Sequence, residues 1–362
     1  MASRLPKLLF FFLLLPLALG IAGWQGWAWW SWATAPITGT HETENEEAEI
    51  GGDSVQIQIP QGTPGQQIGR DLEAAGLIRS HVAWNLWSRW QNLRQDAGYQ
   101  AGTYAISPTQ SLQEIALQIR SGNVLETAFT IPEGWTREQM AAAFEERGAF
   151  SAQAFLAATQ QLPRDRFPWL PQEIPHLEGF LYPDTYLLPA EAVTPEGIRD
   201  FMLQRFETIA LPLYQQSDSQ FSLLEWVTLA SIVEREAVIP DERSEIAAVF
   251  NRRLAEAIPL GADPTVEYGL GVTQTPERPL TLAQVNTPSP YNTYINVGLP
   301  PTPIANPGLP SLEASLAPPP TEYLYFVARY DGTHVFSRTL AEHEAAQARI
   351  RDAIDAGNPT AD

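Results

Sequence analysis

The residues best placed to do chemistry are two glutamates at the end of one apolar helix. Ser222 followed by Glu225 forms a capping box, which starts a helix there. The helix continues through Leu223, Leu224, Trp226, Val227, Leu229, Ala230, Ile232 and Val233, apolar on most of its circumference, the pattern of a buried helix. It ends in Glu234, Arg235 and Glu236 and is stopped by Pro240. At roughly 100° per residue Glu236 points between Ile232 and Leu229, with Arg235 opposite. A carboxyl on an apolar face, at the negative end of a helix dipole, resists ionisation, as a general acid near neutral pH must. From this segment alone the commoner reading is an ordinary helix-end acid facing solvent or paired with an arginine. Helical phase leaves Glu234 and Glu236 both open.

Further carboxylates stand among aromatics and amides: Glu178, Asp184, Asp263 and Glu267, with Tyr182, Tyr268, Tyr291, Tyr294, Asn292 and Asn306. Aromatic faces stack on sugar rings, amides and carboxylates bond hydroxyls, and carboxylates cleave glycosidic bonds by acid–base chemistry. The bland alternative is packing and turn residues in Pro-rich loops. Competing chemistries lack their motifs. There is no phosphate loop ending in Gly-Lys-Ser/Thr, no dinucleotide glycine fingerprint and no Gly-x-Ser-x-Gly elbow. The histidines, His41, His81, His176, His334 and His343, form no His-Glu-x-x-His pair, so no metal site is expected. His334 and His343 could meet in space, although ordinary strand and surface histidines fit the sequence better. With no cysteine, disulfides, thiolate metal sites and a cysteine nucleophile are excluded.

These groups must be held by a sizeable protein. The chain has 362 residues, 44% of them hydrophobic, enough for two ordinary domains. Its net charge of −20, from 42 acids and 22 bases, argues against nucleic acid or an anionic membrane surface as the main partner. Arg4 and Lys7 precede an apolar run from Leu8 to Gly23, followed by Trp24, Trp27, Trp29, Trp30 and Trp32. Run and tryptophans together reach the roughly 20 residues that span a bilayer. Basic residues belong on the cytoplasmic side, and tryptophans at the far interface. The expectation is an uncleaved anchor over 1–33, N-terminus in the cytoplasm and the rest outside it. A cleaved signal at Ala18-Leu19-Gly20 is the alternative. Residues 34–54 read as an acidic linker between membrane and first domain, around Glu42 to Glu47.

A small α+β unit follows over 55–130. Val55, Ile57 and Ile59 alternate as a strand; a helix carries Ile68 and Leu72 to Gly76; Ser80 caps a second through Trp90 and Leu93. Tyr104 to Ile106 is a short strand, and Ser111 with Glu114 boxes a third helix ended by Gly122. Ile59-Pro60-Gln61-Gly62 is echoed by Ile131-Pro132-Glu133-Gly134, each before a helix, a repeated strand–turn–helix device. A larger α+β domain spans 131–350. Thr136 with Gln139, and Thr194-Pro195-Glu196, start helices in it. An aromatic loop covers His176 to Tyr186, and a second helix from Asp241 follows the glutamate helix. Leu260 to Pro320 reads as a packed functional loop with little periodicity. A hairpin turned at Asp331-Gly332 and a helix from Leu340 to about Ala356 close the domain; 351–362 is expected to be its tail.

Several blocks carry a resemblance. Glu178-Gly179-Phe180-Leu181-Tyr182-Pro183-Asp184-Thr185-Tyr186, Ala230-Ser231-Ile232-Val233-Glu234-Arg235-Glu236 and Asp263-Pro264-Thr265-Val266-Glu267-Tyr268-Gly269 resemble signature blocks of the MltG-type (YceG-like) endolytic murein transglycosylases. Ser289-Pro290-Tyr291-Asn292-Thr293-Tyr294, Ile304-Ala305-Asn306-Pro307-Gly308 and His334-Val335-Phe336-Ser337 continue the likeness in order. Ala101-Gly102-Thr103-Tyr104 stands where that family's LysM-like domain has a similar motif, so 55–130 is expected to be LysM-like and 131–350 the YceG-like catalytic domain.

The resemblance implies cleavage of the MurNAc–GlcNAc β-1,4 bond inside peptidoglycan strands without a cofactor, leaving 1,6-anhydroMurNAc ends and terminating nascent strands. By position it puts the catalytic acid on Glu236. Glu178, Asp184, Asp263, Thr265, Tyr268, Tyr291, Asn292 and Asn306 become candidate substrate-binding residues. It also implies an inner-membrane, single-pass protein working beside peptidoglycan synthases or the division and elongation machinery. Two departures stand out: Ala237 where a threonine is usual, and Leu260-Gly261-Ala262 where relatives have Leu-Gln-Thr. The rivals are a hydrolytic muramidase, with Glu178 or Asp263 as second carboxylate, and a non-enzymatic peptidoglycan-binding division scaffold.

Overall fold

The computed structural model describes residues 14–37, 54–93, 98–275, 278–329 and 331–355. Arg4, Lys7 and the start of the apolar run, the acidic residues Glu42 to Glu47, and the last seven residues lie outside that set. The chain is mixed α and β, mainly helical, and divides into two units: the residues up to Thr127 with Leu187–Ala192, and Ala128–Tyr186 with Val193 onward.

The first unit begins with helix α1 (Leu15–Thr34), whose side chains are mostly exposed until Ala33 and Thr34. Among the described residues no helix is long and apolar enough to cross a membrane. In α1 the polar Gln25, three glycines and the indoles dilute the hydropathy. Strand β1 (Val55–Ile59) pairs antiparallel with β2 (Gly102–Ile106), Val55 opposite Ile106 and Ile59 opposite Gly102. Between them run α2 (Gly65–Ala74) and α3 (His81–Asn92), and α4 (Leu112–Ser121) follows. Ser80 caps α3, the Ser111–Glu114 box starts α4, and Gly122, left-handed at φ 71°, ends it. Ile68, Leu72, Trp84, Trp87, Tyr104, Ile115 and Ile119 close one core, which also takes in Ala33. Ile37 donates its N–H to Pro108 O (3.1 Å), and Val55 pairs opposite Ile106, both within this unit; the residues expected to form the acidic linker lie outside the described residues between them.

The chain leaves through β3 (Glu126–Thr130) and returns briefly through β4 (Thr185–Pro189), which pair with each other. β4 emerges from the aromatic loop, where the sequence showed no strand. The second unit then assembles α5 (Arg137–Glu146), α6 (Ala152–Gln160), α7 (Pro195–Gln215), α8 (Leu223–Glu236) and α9 (Arg243–Ala255). The long region after Leu260 is not irregular throughout. It holds α10 (Asp263–Leu270), α11 (Leu282–Val285) and α12 (Leu309–Leu316), each too short to show periodicity. Strands β5 (Tyr325–Ala328) and β6 (His334–Ser337) form the hairpin, and α13 (Leu340–Asp355) closes the chain.

Helix α8 is the axis of this unit. The Ser222–Glu225 box starts it, and every residue from Trp226 to Val233 is buried. Leu229, Ile232 and Val233 join Ile246, Ala247, Phe250, Leu260 and Ile304 in one cluster, with α9 and α12 packed against α8. Each buried Leu, Ile, Val or Phe among them contributes about 1.5–3 kcal/mol through burial. Trp226 also donates its indole N–H to Leu312 O at 2.9 Å, so α8 cannot slide along α12 without breaking that bond.

Candidate active site

The two glutamates that end α8 have different surroundings. Glu234 is occupied: it accepts the Gly308 N–H (3.1 Å), and the Arg243 guanidinium lies 3.7 Å away. Glu236 is half-buried, and its carboxyl makes no hydrogen bond or ion pair with any described residue. It faces a cavity of about 950 Å³ inside the second unit. Burial, reinforced by the carboxylates of Asp263 and Glu267, pushes its pKa up to about 8, with Arg235 and Arg253 pulling the other way. Near neutral pH the group carries its proton.

The facing wall is built by α10. Asp263, its first residue, accepts the Tyr294 hydroxyl (2.6 Å) and the Gln274 side-chain amide (3.4 Å). Glu267, one turn on, accepts the Gln274 backbone N–H (2.7 Å) and lies 3.5 Å from the Arg235 guanidinium. Arg253 of α9 donates to the carbonyls of Leu324 (2.6 Å) and Leu260 (2.7 Å), and its guanidinium lies over the Tyr325 ring at 5.0 Å. His343 stacks on Tyr325, ring centroids 5.3 Å apart, and burial with the charge of Arg253 lowers its pKa. His334 reaches the cavity too, with Nδ1 2.6 Å from Glu242. The two histidines therefore line one cavity. No group of three or more His, Asp or Glu among the described residues could hold a metal ion.

The other sequence candidates lie elsewhere. Glu178 is fully buried, off the cavity, and accepts the Arg137 N–H (3.1 Å), the Asn306 amide (2.7 Å) and the Tyr268 hydroxyl (3.2 Å). Burial holds its pKa up at about 8. Asn306, equally buried, accepts the N–H groups of Gly179 (2.9 Å) and Leu181 (3.0 Å), so this pair knots the aromatic loop to the core. Asp184 is bound to Arg205 of α7 at 2.6 Å and does not line the cavity.

Tyr268 and Tyr291 pack ring to ring at 4.9 Å, and Tyr291 bonds Thr302 at 2.8 Å. Thr265 and Asn292 are buried: Thr265 bonds Thr293 (2.8 Å), and Asn292 accepts the Tyr294 N–H (3.0 Å). These residues hold the loop that presents Tyr294. Of the nine sequence candidates, Glu236 and Asp263 line the cavity. Arg235, Arg253, Glu267, Gln274 and Tyr294 join them. Tyr294 and Glu267 belong to recognisable blocks, but loop residues lack the periodicity that would show which way they face.

The two departures have local explanations. Gly261 sits at φ 59°, a conformation glycine takes without strain, and its Cα lies beside the Tyr294 ring. Ala237 ends α8 in extended backbone, donating its N–H to Val233 O, with its methyl against the core.

The sequence profile of the YceG-like family matches residues 57–349. The chain is 33% identical to a Bacillus subtilis (strain 168) protein named endolytic murein transglycosylase, over 81% of this chain and 84% of that one. A protein of the same name from Streptococcus pneumoniae serotype 2 is 30% identical over 80% of this chain; the match covers 58% of that longer protein. A crystal structure from Listeria monocytogenes, described as yceG-like, superposes with a TM-score of 0.53 at 31% identity, covering 81% of this chain and 99% of that one.

Proposed function

The chain belongs to the YceG-like family, and we propose that it is an endolytic peptidoglycan lytic transglycosylase with Glu236 as its acid. The observation that carries this is the contrast within Glu234-Arg235-Glu236: one glutamate is bonded to the fold, the other faces the cavity protonated and without a hydrogen-bond or ion-pair partner among the described residues. Protonated Glu236 donates to the glycosidic oxygen as the MurNAc C1–O bond breaks, through an oxocarbenium-like transition state. The resulting carboxylate takes the proton of the muramoyl 6-hydroxyl, whose oxygen closes on C1 to give the 1,6-anhydro ring. The substrate supplies the nucleophile, so no second protein carboxylate attacks C1.

Asp263 is the one observation favouring a hydrolytic muramidase, because it is a second carboxylate in the same cavity. Digesting purified glycan strands and weighing the products separates the two. Anhydro-ended products support the transglycosylase reading. Reducing ends, heavier by one water, would replace it with the muramidase. Release of no soluble fragments by a folded protein that binds strands would favour the scaffold.

The same reading places the enzyme in the inner membrane as a single-pass protein with its N-terminus in the cytoplasm. Its support is the apolar run from Leu8, the basic Arg4 and Lys7 ahead of it, and the exposed apolar surface of α1. A LysM-like role in holding glycan for the first unit, termination of nascent strands, and work beside peptidoglycan synthases or the division machinery belong to this proposal as well.

A further inference from the structure

Four arginines stand on α8 and α9, and one of them is held differently from the rest. Arg235 lies 3.5 Å from Glu267, Arg243 3.7 Å from Glu234 and Arg252 2.8 Å from Glu256. Arg253 has no carboxylate within ion-pair distance among the described residues, and its bonds go to neutral carbonyls. Its Nε donates to Leu324 O (2.6 Å), and its Nη1 to Leu260 O (2.7 Å) and Pro259 O (3.3 Å). The Tyr325 ring lies under the guanidinium at 5.0 Å and fixes its plane. These bonds use the N–H groups of Nε and Nη1 and leave both of those on Nη2.

Such an arrangement is costly in the free protein. A half-buried cation without a counter-ion gives up solvation that carbonyl dipoles return only in part, and burial accordingly lowers the Arg253 pKa. Arg253 lines the same cavity as Glu236, near enough that each charge acts on the other's titration. Glu236 does not neutralise it, because near neutral pH Glu236 carries its proton. The reaction adds to the problem. Positive charge develops at C1 as the glycosidic bond breaks, and an uncompensated cation beside it opposes that step. An anion brought in by the ligand removes the opposition and restores what burial took away.

Glycan strands of this kind carry such an anion on the reacting sugar itself. Muramic acid differs from glucosamine by a lactyl ether, on the same ring as C1. Its carboxyl is free in strands stripped of peptide. In intact strands it is the attachment point of a peptide that bears carboxylates of its own. Guanidinium groups match carboxylates in shape as well as charge, and one already fixed in place loses little freedom on binding.

We propose that Nη2 of Arg253 holds a carboxylate of the muramoyl residue at the scissile bond, so that the cavity selects strands by their acidic groups as well as by their sugars. This rests on the glycan-cleaving reading above and adds to it the class of group recognised. Arg253 then contributes to substrate binding, whereas Arg235, paired with Glu267, holds the cavity wall.

The test measures strand binding by the full chain carrying Glu236→Gln, so that strands are not consumed. Peptide-bearing strands and strands stripped by an amidase are each compared with their own amidated form, made by coupling ammonia to the carboxyls with a carbodiimide. In a chain of net charge −20, general electrostatics would make the neutral, amidated strands bind more tightly. The proposal expects the reverse, binding about tenfold or more weaker after amidation. It also expects the difference to vanish when Arg253→Gln, confirmed as folded by its thermal transition, is added. A loss in stripped strands assigns the lactyl carboxylate; a loss confined to peptide-bearing strands assigns a peptide carboxylate. Both support the site. Amidated strands bound equally or more tightly would overturn it, and would leave Arg253 acting on Glu236 alone. A preference unchanged by Arg253→Gln would overturn it too, by placing recognition elsewhere in the chain. Should Arg253→Gln not fold, Arg253→Lys takes its place, keeping the charge without the fork. It is expected to weaken the preference by about threefold or more, and an unchanged preference again overturns the site. The glycan-cleaving reading is judged apart, on wild-type products. Carboxylate-dependent binding with no strand cleaved would remove that reading and leave the Arg253 site standing.

Discussion

Asp263→Asn offers a quantitative probe of how Glu236 keeps its proton. The substitution removes one of the two carboxylate charges that add to burial in raising the Glu236 pKa to about 8. It is nearly isosteric, and the Asn carbonyl still accepts the Tyr294 hydroxyl that Asp263 accepts at 2.6 Å. Loss of an acid from the first turn of α10 costs the helix about 0.3–1 kcal/mol, too little to unfold the domain. Removing one like charge from a shared site lowers a pKa by about one unit, or about 1.4 kcal/mol.

With wild type at about 8 and the variant at about 7, the protonated fraction at pH 8 falls from about one half to about one tenth, a roughly fivefold loss; at pH 6 both stay above about nine tenths. The assay is kcat/KM on isolated glycan strands from about pH 5.5 to about pH 9.5, which reports the free enzyme's acid. The acid side of the profile should hardly change, while the alkaline limb moves about one unit towards acid. Superimposable alkaline limbs would refute the idea that Asp263 helps hold the proton. A uniform loss at every pH would instead make Asp263 a substrate contact.

Three other substitutions test neighbouring parts of the account. Glu178 titrates near 8 in the fold against 4.5 in the unfolded chain, so the folded state alone holds this proton across that window. Wild type therefore loses stability from this group as pH rises from about 4.5 to about 8, and Glu178→Gln, which does not titrate, should gain on it over that range. Parallel Tm-against-pH curves would contradict this. In Gly179→Ala, at φ 89°, the new Cβ would lie 2.4 Å from Pro303 Cγ and 2.9 Å from Val227 Cγ1. A loss of about 3 kcal/mol or more is expected in denaturant titration, and a loss under about 1 kcal/mol would show that the aromatic loop relaxes. Asp184→Asn removes only a partly exposed ion pair with Arg205, about 0–1 kcal/mol, and should leave kcat/KM within about twofold. A tenfold or larger drop would bring Asp184 to the substrate.

What the sequence disclosed and what it hid follow from the range of the interactions involved. The boxes at Ser111, Thr136 and Ser222 involve groups three residues apart, and all three are formed. The buried face of α8 shows in its apolar run for the same reason. By contrast, α10, α11 and α12 span eight, four and eight residues, two of them opened by proline, and are fixed by packing that no local pattern announces. The aromatic and amide motifs were visible, but which side chains reach the cavity was not. Thr265, Asn292 and Asn306 turned inward to hold loops, while Tyr294, two residues beyond Asn292, turned to Asp263. The choice between Glu234 and Glu236 had the same character. Phase could not make it, because the N–H that occupies Glu234 belongs to Gly308, 74 residues away in the chain.

The central claim is that Glu236, and not its neighbour, is the acid. Glu236→Gln and Glu234→Gln, each confirmed as folded by its thermal transition, are incubated with glycan strands, and 1,6-anhydro ends are counted by mass spectrometry. The account predicts that Glu236→Gln keeps the wild-type Tm and loses about 100-fold or more of product formation, while Glu234→Gln lowers Tm and retains measurable turnover. Anhydro ends formed by Glu236→Gln at a rate within a few-fold of wild type, or abolished only in Glu234→Gln, would contradict it.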